Sequence, residues 1–445
     1  MNAQMLFRLL VNSRQLRSHD QWTRSQLADY QAHALRKLRE YAYAHSPFYR
    51  EFHAGLQDRP LHELPVLTKK MLMEHFDDLV TDRAVHLLDI RAHMQQTPDA
   101  PYLNRYWVNA TSGSSGNPGI FLFNRREWAM VLASFARGYE WAGVQVDLTH
   151  HRKMAVVSSV TPWHMSYLVG TTLRSPWVST LRLSASEPVQ TLVRQLNDWK
   201  PEILIAYASM ARMFAVEQLE GRLNIHPQLV FSSSEVLTDE ARRLIETAWG
   251  KILFNQYAAT ETAGIAAECE QHDGMHLYED LILVENVDEQ NQPVPPGVYG
   301  DKLLVTVLFN HTQPLIRYEL NDSLRFSDRA CQSGRVFNLV EAVQGRQEDT
   351  LMLEGLHGEQ IPVHPNVFHS VMDSVSVSAW QIVLRRDGLH VLVTNTLGNQ
   401  EAFIGVLRST LEIQSVKVPN INVEVVSAVP RTTNGKAPLI RSELM

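Results

Sequence analysis

Residues Ala110 to Phe121 read ATSGSSGNPGIF. Ser112, Gly113, Ser114, Ser115 and Gly116 offer backbone N–H groups and hydroxyls but little with which to build a core. Such a run is either a flexible linker or a holder of something anionic. It lies between YWVNA and IFLF, both strand-like, where a linker between folded units is out of place. Strand, loop and strand with hydroxyls and glycines fit a phosphate loop. It is not a Walker A motif, because no Gly-Lys-Ser/Thr follows. Composition alone leaves a plain tight loop as the commoner alternative.

Three further segments carry side chains suited to chemistry. NQYAATET, Asn255 to Thr262, follows an expected strand and holds Tyr257 and Glu261. RYELND ends in Asp322, and PRTTNGKAPLIR sets Lys436 in a Gly-containing loop. Taken singly, each has an ordinary reading. Tyr257 is a core tyrosine at a strand end, and Glu261 is a helix-start acid in a Thr260-Glu261-Thr262 cap. Asp322 is a turn aspartate, and Lys436 is a surface lysine. The two cysteines, Cys269 and Cys331, exclude a disulfide-rich scaffold and by themselves read as buried thiols. A zinc hydrolase has no support, since no H-E-x-x-H occurs.

These residues need a framework. At 445 residues the chain suggests two or three domains of roughly 150 residues. With 44% hydrophobic and 20% charged residues it can bury a sizeable core. A net charge of −7 and the lack of a long basic run argue against nucleic acid as a partner. No apolar run approaches the roughly 18 residues of a membrane helix. The N-terminal LFRLLV, broken by Arg8, is too short for a signal peptide. The expected setting is cytoplasmic, with no membrane partner.

TRSQLADYQAHALRKLREYAYAHSPFY predicts a helix capped by Thr23, with Leu27, Tyr30, Leu35, Leu38 and Tyr41 at helical spacing and Pro47 at its end. LPVLTKKMLMEHF reads as a turn and a helix. Beyond the Gly-rich run, helices alternate with short apolar strands such as RKMAVVSSV, EILIAYA, QLVFSSS and KILFNQY. That alternation predicts an α/β fold with a largely parallel sheet. From about Leu281 to Phe337 an antiparallel section is expected. Another change near VQGRQEDTLML introduces roughly 100 residues with helices, an Asp387-Gly388 hairpin and a further strand. The expected organisation is a large N-terminal domain, 1–345, with mixed, largely parallel sheets and helices, and a small α+β C-terminal domain, 346–445.

In this order and at these distances, the four chemical segments resemble the signature segments of the adenylate-forming enzymes. The likeness is to the phenylacetate–CoA ligase-like branch, and YQAHALRKLREYAYAHSPFYR, LPVLTKKML and GRQEDTLML extend it over nearly the whole chain. The resemblance implies a two-step reaction. A carboxylate attacks the α-phosphate of ATP to give acyl-AMP and pyrophosphate; a thiol, by default that of coenzyme A, then takes the acyl group. It implies an organic acid, aromatic acids included, as substrate, and a C-terminal lid that rotates between the steps. It also suggests a homodimer. A carrier-protein thiol or an amine is the alternative acceptor, and a nucleotide-binding protein that has lost catalysis is the alternative outside enzymes.

The resemblance also assigns roles. Thr111, Ser112, Gly113, Ser114, Ser115 and Gly116 would cradle the β- and γ-phosphates, where glycine allows close approach of the backbone. Tyr257 would lie against adenine, with Ser234, Glu235 and Val236 on the other side and Gln256, Ala258 and Thr260 alongside. Glu261 would hold Mg²⁺, Asp322 the ribose hydroxyls, and Arg346 the ribose or phosphate side. Asp349 would be the hinge, with Glu348 as its neighbouring alternative. Lys436 would bridge the attacking carboxylate and the α-phosphate. Trp163, His164 and Tyr167 in TPWHMSYLVG would line the acyl pocket. Cys269, His276 and Cys331 would hold a structural zinc, with His272 or water as the fourth ligand. Three positions depart from the family pattern: Asn117 where lysine is common, Asn321 where glycine is usual, and Ser333 at the second cysteine of a CxCG pair.

Overall fold

The computed structural model describes residues 3–97, 100–111, 118–144, 151–172, 177–344, 351–363, 365–372, 374–375, 377, 380–394, 397–427, 429–430 and 439–444. Two long helices open the chain, Ala3–His19 and Arg24–His45. Thr23 caps the second in a capping box with Gln26, burying Leu27, Leu38 and Ala42. That helix stops at Ser46, which itself caps the short helix Pro47–Phe52 by accepting a bond from the Tyr49 N–H. Proline at the first helical position explains why the pattern restarts rather than ends.

The Gly-rich run connects a β-hairpin. Strand β1 (Tyr106–Ala110) pairs antiparallel with β2 (Ile120–Asn124), and Ala110 sits opposite Ile120. Asn124 then caps the helix Arg125–Trp141 in a capping box with Glu127. That helix presses the fully buried Trp128 onto the hairpin beside Phe123. Burial of one such side chain contributes about 1.5–3 kcal/mol.

The strands β3 (Arg152–Ser158), β4 (Val178–Ser184), β5 (Ile203–Tyr207), β6 (Leu229–Ser233) and β7 (Leu253–Ala259) form the parallel half of a nine-stranded sheet, in the order β7-β6-β5-β3-β4. The helices Val189–Trp199, Ala208–Leu219 and Asp239–Trp249 connect them, as the alternation predicts. β3, read from its sequence as a short apolar strand, alternates in burial along its length.

The antiparallel half begins earlier than expected, at β7 rather than near Leu281. A turn at Thr260–Thr262 leads to β8 (Ala263–Glu268), followed in the sheet by β9 (Met275–Leu277), and later by β14 (Leu339–Gln344) and β13 (Ser323–Phe326). β8 is AGIAAE, wholly buried, and its small residues give no alternation to read. A separate antiparallel sheet holds β10 (Ile282–Val287), β11 (Lys302–Val307) and β12 (Tyr318–Leu320).

The C-terminal residues bury a core of their own, from Leu351 to Ile440. It contains the hairpin of β15 (Leu351–Glu354) and β16 (Gln360–Val363) and a four-stranded sheet. In that sheet β17 (Trp380–Arg385) and β18 (Gly388–Val393) form the expected hairpin. Gly388 has φ +141 and stands against the Asn420 carbonyl, where a side chain would collide. β19 (Ile421–Val425) and β20 (Ile440–Ser442) flank the hairpin in parallel, and the helices Pro365–Met372 and Gln400–Ile413 cover it.

Candidate active site

In a parallel sheet, ligands bind beyond the carboxyl ends of the strands. Four strands deliver polar groups to that edge. After β3, the Ser159 N–H donates to the Tyr207 hydroxyl at 2.8 Å, and His164 Nδ1 meets Ser159 Oγ at 2.7 Å. After β5, Ser209 donates through its N–H and hydroxyl to Glu235 Oε2 at 2.9 and 2.6 Å. Glu235 follows β6, so its carboxylate sits at the N-terminus of the helix Ala208–Leu219, where a negative charge is favoured. Ser234 beside it adopts φ +67, a left-handed conformation that serine rarely takes. On β7, the Tyr257 hydroxyl donates to Asp322 Oδ2 at 2.7 Å. Desolvation, then Asp322 and more weakly Glu261, push the Tyr257 phenol well above its usual range, so it stays a donor.

The hairpin is brought to this edge by buried polar cross-links. The Ala110 N–H donates to the Trp163 carbonyl at 2.9 Å. On the other side, Gln313 accepts from the Leu122 N–H at 2.9 Å and donates to the Ile120 carbonyl at 3.0 Å, while Asn310 donates to the Leu122 carbonyl at 3.1 Å. Glu127 accepts from the backbone of Asn124, His311 and Thr312 at 2.7, 2.9 and 2.9 Å. Its burial raises its pKa. Each bond satisfies a group that would be costly to bury alone. Together they hold β2 against the segment leading to Asp322.

One participant was not legible in the sequence. Lys69 Nζ donates to Thr111 Oγ1 at 3.3 Å, and Thr111 Oγ1 also accepts from the Gly119 N–H at 2.8 Å. Lys69 begins the helix Lys69–Glu74, capped by Thr68. Leu67 fixes that cap by exchanging backbone bonds with Arg317 and Glu319, each at 3.0 Å. The buried Arg317, at φ +50, is paired to Glu285. A cation therefore reaches the mouth of the Gly-rich loop from a distant segment. The only signal was LPVLTKKML, noted for its resemblance but not for its charge.

Other candidate residues lie as follows. Gln256 is buried and directed at the helix Arg125–Trp141, so only its backbone faces the edge. Glu261 is half-buried in the β7–β8 turn, next to Thr260, and Ala258 precedes them on β7. Ser234 and Val236 flank Glu235. Trp163 and Tyr167 line a cavity of about 480 Å³ with Met94, Trp107, Val108 and Leu168. His164 turns instead to Ser159 and is not in that lining. Ser112, Gly113, Ser114, Ser115, Gly116, Asn117, Arg346, Glu348, Asp349 and Lys436 lie outside the described residues.

A second cluster forms in the antiparallel half. Cys269 follows β8, His276 is on β9, and Cys331 lies between β13 and β14; their ligand atoms are within 4.8 Å of one another, and all three residues are buried. The two sulfurs are 3.7 Å apart. Burial pushes the Cys269 thiol up to about 11, and burial with the Arg335 guanidinium pushes His276 down to about 4. His276 is therefore neutral at pH 7, the form that binds metal. His272 is not part of the cluster. Its ring packs 4.5 Å from that of Phe254, and its Nδ1 is 3.6 Å from Glu268. The Ser333 hydroxyl is 3.4 Å from His276 Nε2.

No family model matches the chain. Among curated proteins it is similar to phenylacetate–coenzyme A ligase of Thermus thermophilus, 26% identical over 384 residues, covering 82% of this chain and 80% of the relative. It is also similar to protein CapK of Staphylococcus aureus, 22% identical over 385 residues, covering 84% and 79%. Among solved structures, 2-hydroxyisobutyryl-CoA ligase with 2-HIB-AMP and CoA superposes at a TM-score of 0.61, with 20% identity, over 96% of this chain and 92% of that chain. The same ligase in its postadenylation state superposes at 0.60, with 21% identity, over 96% and 91%.

Proposed function

We propose that the chain is an adenylate-forming enzyme of the phenylacetate–CoA ligase-like branch, as its likeness to phenylacetate–coenzyme A ligase supports, and that it joins an organic acid to coenzyme A through an acyl-adenylate. The observation that carries this reading is the Tyr257–Asp322 pair at the carboxyl edge of the sheet, where the Gly-rich hairpin also arrives. Tyr257 offers its ring face to adenine and holds Asp322, whose free oxygen accepts from the ribose. Ser112 to Gly116 bind the β- and γ-phosphates. Lys69 stands in for the charge missing at Asn117. Glu261, a half-buried carboxylate, is the hard oxygen donor that Mg²⁺ requires; when bound, that ion neutralises phosphate charge.

The acid lies toward Trp163 and Tyr167, whose rings, with Trp107 and Leu168, give the cavity a wall suited to an aryl or branched acyl group, while His93, Thr171 and Thr172 supply its polar side. Lys436 attracts both the carboxylate and the α-phosphate, easing the charge that gathers as they join. After pyrophosphate leaves, the C-terminal core turns about Asp349 as a lid, and the thiol of coenzyme A takes the acyl group with AMP departing. Arg346 meets the nucleotide from the lid junction. The domain boundary then falls at 345/346.

Cys269, His276 and Cys331 are a soft, buried donor set that fits zinc, and they would hold it with water as the fourth ligand. That ion would staple β8, β9 and the loop before β14. Elemental analysis should find close to one zinc per chain; well under one removes this site.

The direct test of the catalytic assignment is Lys436→Ala. Acid-dependent pyrophosphate release should fall about 10²–10³-fold with the melting temperature unchanged. Near-wild-type turnover in that variant would sink the assignment.

A further inference from the structure

The N-terminal helix Ala3–His19 has two apolar faces. Met5, Leu9 and Leu16 are buried against the body. Leu6, Phe7, Leu10 and Val11 are 40, 67, 60 and 48% exposed. At 100° per residue these four fall within one outward arc. The arc is held outward rather than frayed. At its C-terminal end His19 Nδ1 lies 2.7 Å from Asp280 Oδ2, and the Leu16 carbonyl accepts from the buried Arg137 at 3.0 Å.

The charge on this helix is one-sided. It contains Arg8, Arg14, Arg17 and His19 and no Asp or Glu, in a chain whose net charge is −7. Arg17 is paired with Glu140 at 2.9 Å. The adjacent acid, Asp20, is engaged with Arg137 at 3.1 Å and Trp141 at 2.8 Å. Among the described residues no ion pair holds Arg8 or Arg14. The same face of a second copy would offer no acid to pair with Arg8 or Arg14, since the helix contains none. An anionic surface with an apolar interior meets both features: the four apolar side chains enter it, and the arginines stay at its charged rim.

We propose that the outer face of the Ala3–His19 helix docks the protein on an anionic lipid bilayer. This is attachment along a surface. Among the described residues no helix is long and apolar enough to cross a membrane. The inference is independent of the reaction assigned above.

The test is flotation of the full chain with phosphatidylcholine vesicles, with and without phosphatidylglycerol. Wild type should float with the anionic vesicles and be released by high salt, since surface attraction is screened. Phe7→Glu/Leu10→Glu and Arg8→Glu/Arg14→Glu should each weaken binding about tenfold or more. Circular dichroism and the melting temperature should match wild type; the arginine pair carries the test if the first variant misfolds. Folded wild type that ignores anionic vesicles overturns the proposal. So does binding that is indifferent to lipid charge, or a dimer in light scattering that Phe7→Glu/Leu10→Glu abolishes.

Discussion

The two halves of the nine-stranded sheet handle polar residues differently. In the parallel half every strand points the same way, so the loops after β3, β5, β6 and β7 all emerge at one edge. Ser159, Ser209, Glu235 and Tyr257 meet there although long helices separate them in sequence. In the antiparallel half successive strands reverse, and short connections bring Cys269 and His276 round to Cys331. The first arrangement gathers its polar groups along an open edge; the second encloses its donors until all three are buried. The same sheet thus has an open polar edge, proposed above for a nucleotide, on one side of β7 and a closed cluster on the other.

Damage on one side of this division should leave the other intact. The largest effect is expected from Glu261→Ala, which sits at the seam. Acid-dependent pyrophosphate release should drop about 10²–10³-fold, while the zinc content stays at the wild-type value. Loss of zinc in this variant would break the comparison. Cys331→Ser should do the opposite. It should lower zinc per chain and destabilise the fold by on the order of 3 kcal/mol, measured by chemical unfolding, while the folded fraction keeps its turnover per molecule.

A smaller effect sharpens the nucleotide side. Tyr257→Phe keeps the ring and removes the 2.7 Å bond to Asp322. The KM for ATP should rise about tenfold with a smaller change in kcat. An unchanged KM would mean that Asp322 is held by other groups.

The smallest expected effect serves as a control, in the N-terminal helices away from both clusters. His53, against the rings of Tyr49 and Phe52, is pushed by burial from 6.5 down to about 4. The fold therefore prefers the neutral ring. Its stabilisation is complete above pH 6.5 and is lost as pH falls toward 4. Lowering the pH from 6.5 by one unit should cost about 1 kcal/mol, and His53→Gln should flatten that part of the stability curve. A curve of unchanged slope in the variant would assign the acid limb to other groups.

The elements most legible in the sequence were those set by local rules. Thr23 marks a helix start and Asp387-Gly388 marks a hairpin. Order and distance of the four segments carried the resemblance to the adenylate-forming enzymes. What escaped depended on residues far apart in the chain. Lys69 reaches Thr111 only because Leu67 bonds to Arg317 and Glu319. Asn310 and Gln313 secure β2 through amide side chains that resemble loop residues. β8 hid because Ala and Gly show no alternation, so the antiparallel half was placed too late. The resemblance offered His272 or water as a fourth zinc ligand, and the turn after Cys269 directs His272 at Phe254 and Glu268 instead.

The most direct test of the account is product analysis with ATP, Mg²⁺, coenzyme A and a panel of aryl, arylacetyl and branched or short aliphatic acids. The account predicts AMP and pyrophosphate in equal amounts, only when a suitable acid is present, with a coenzyme A thioester of that acid. ADP and phosphate as products, or ATP turnover that no acid changes, would contradict it.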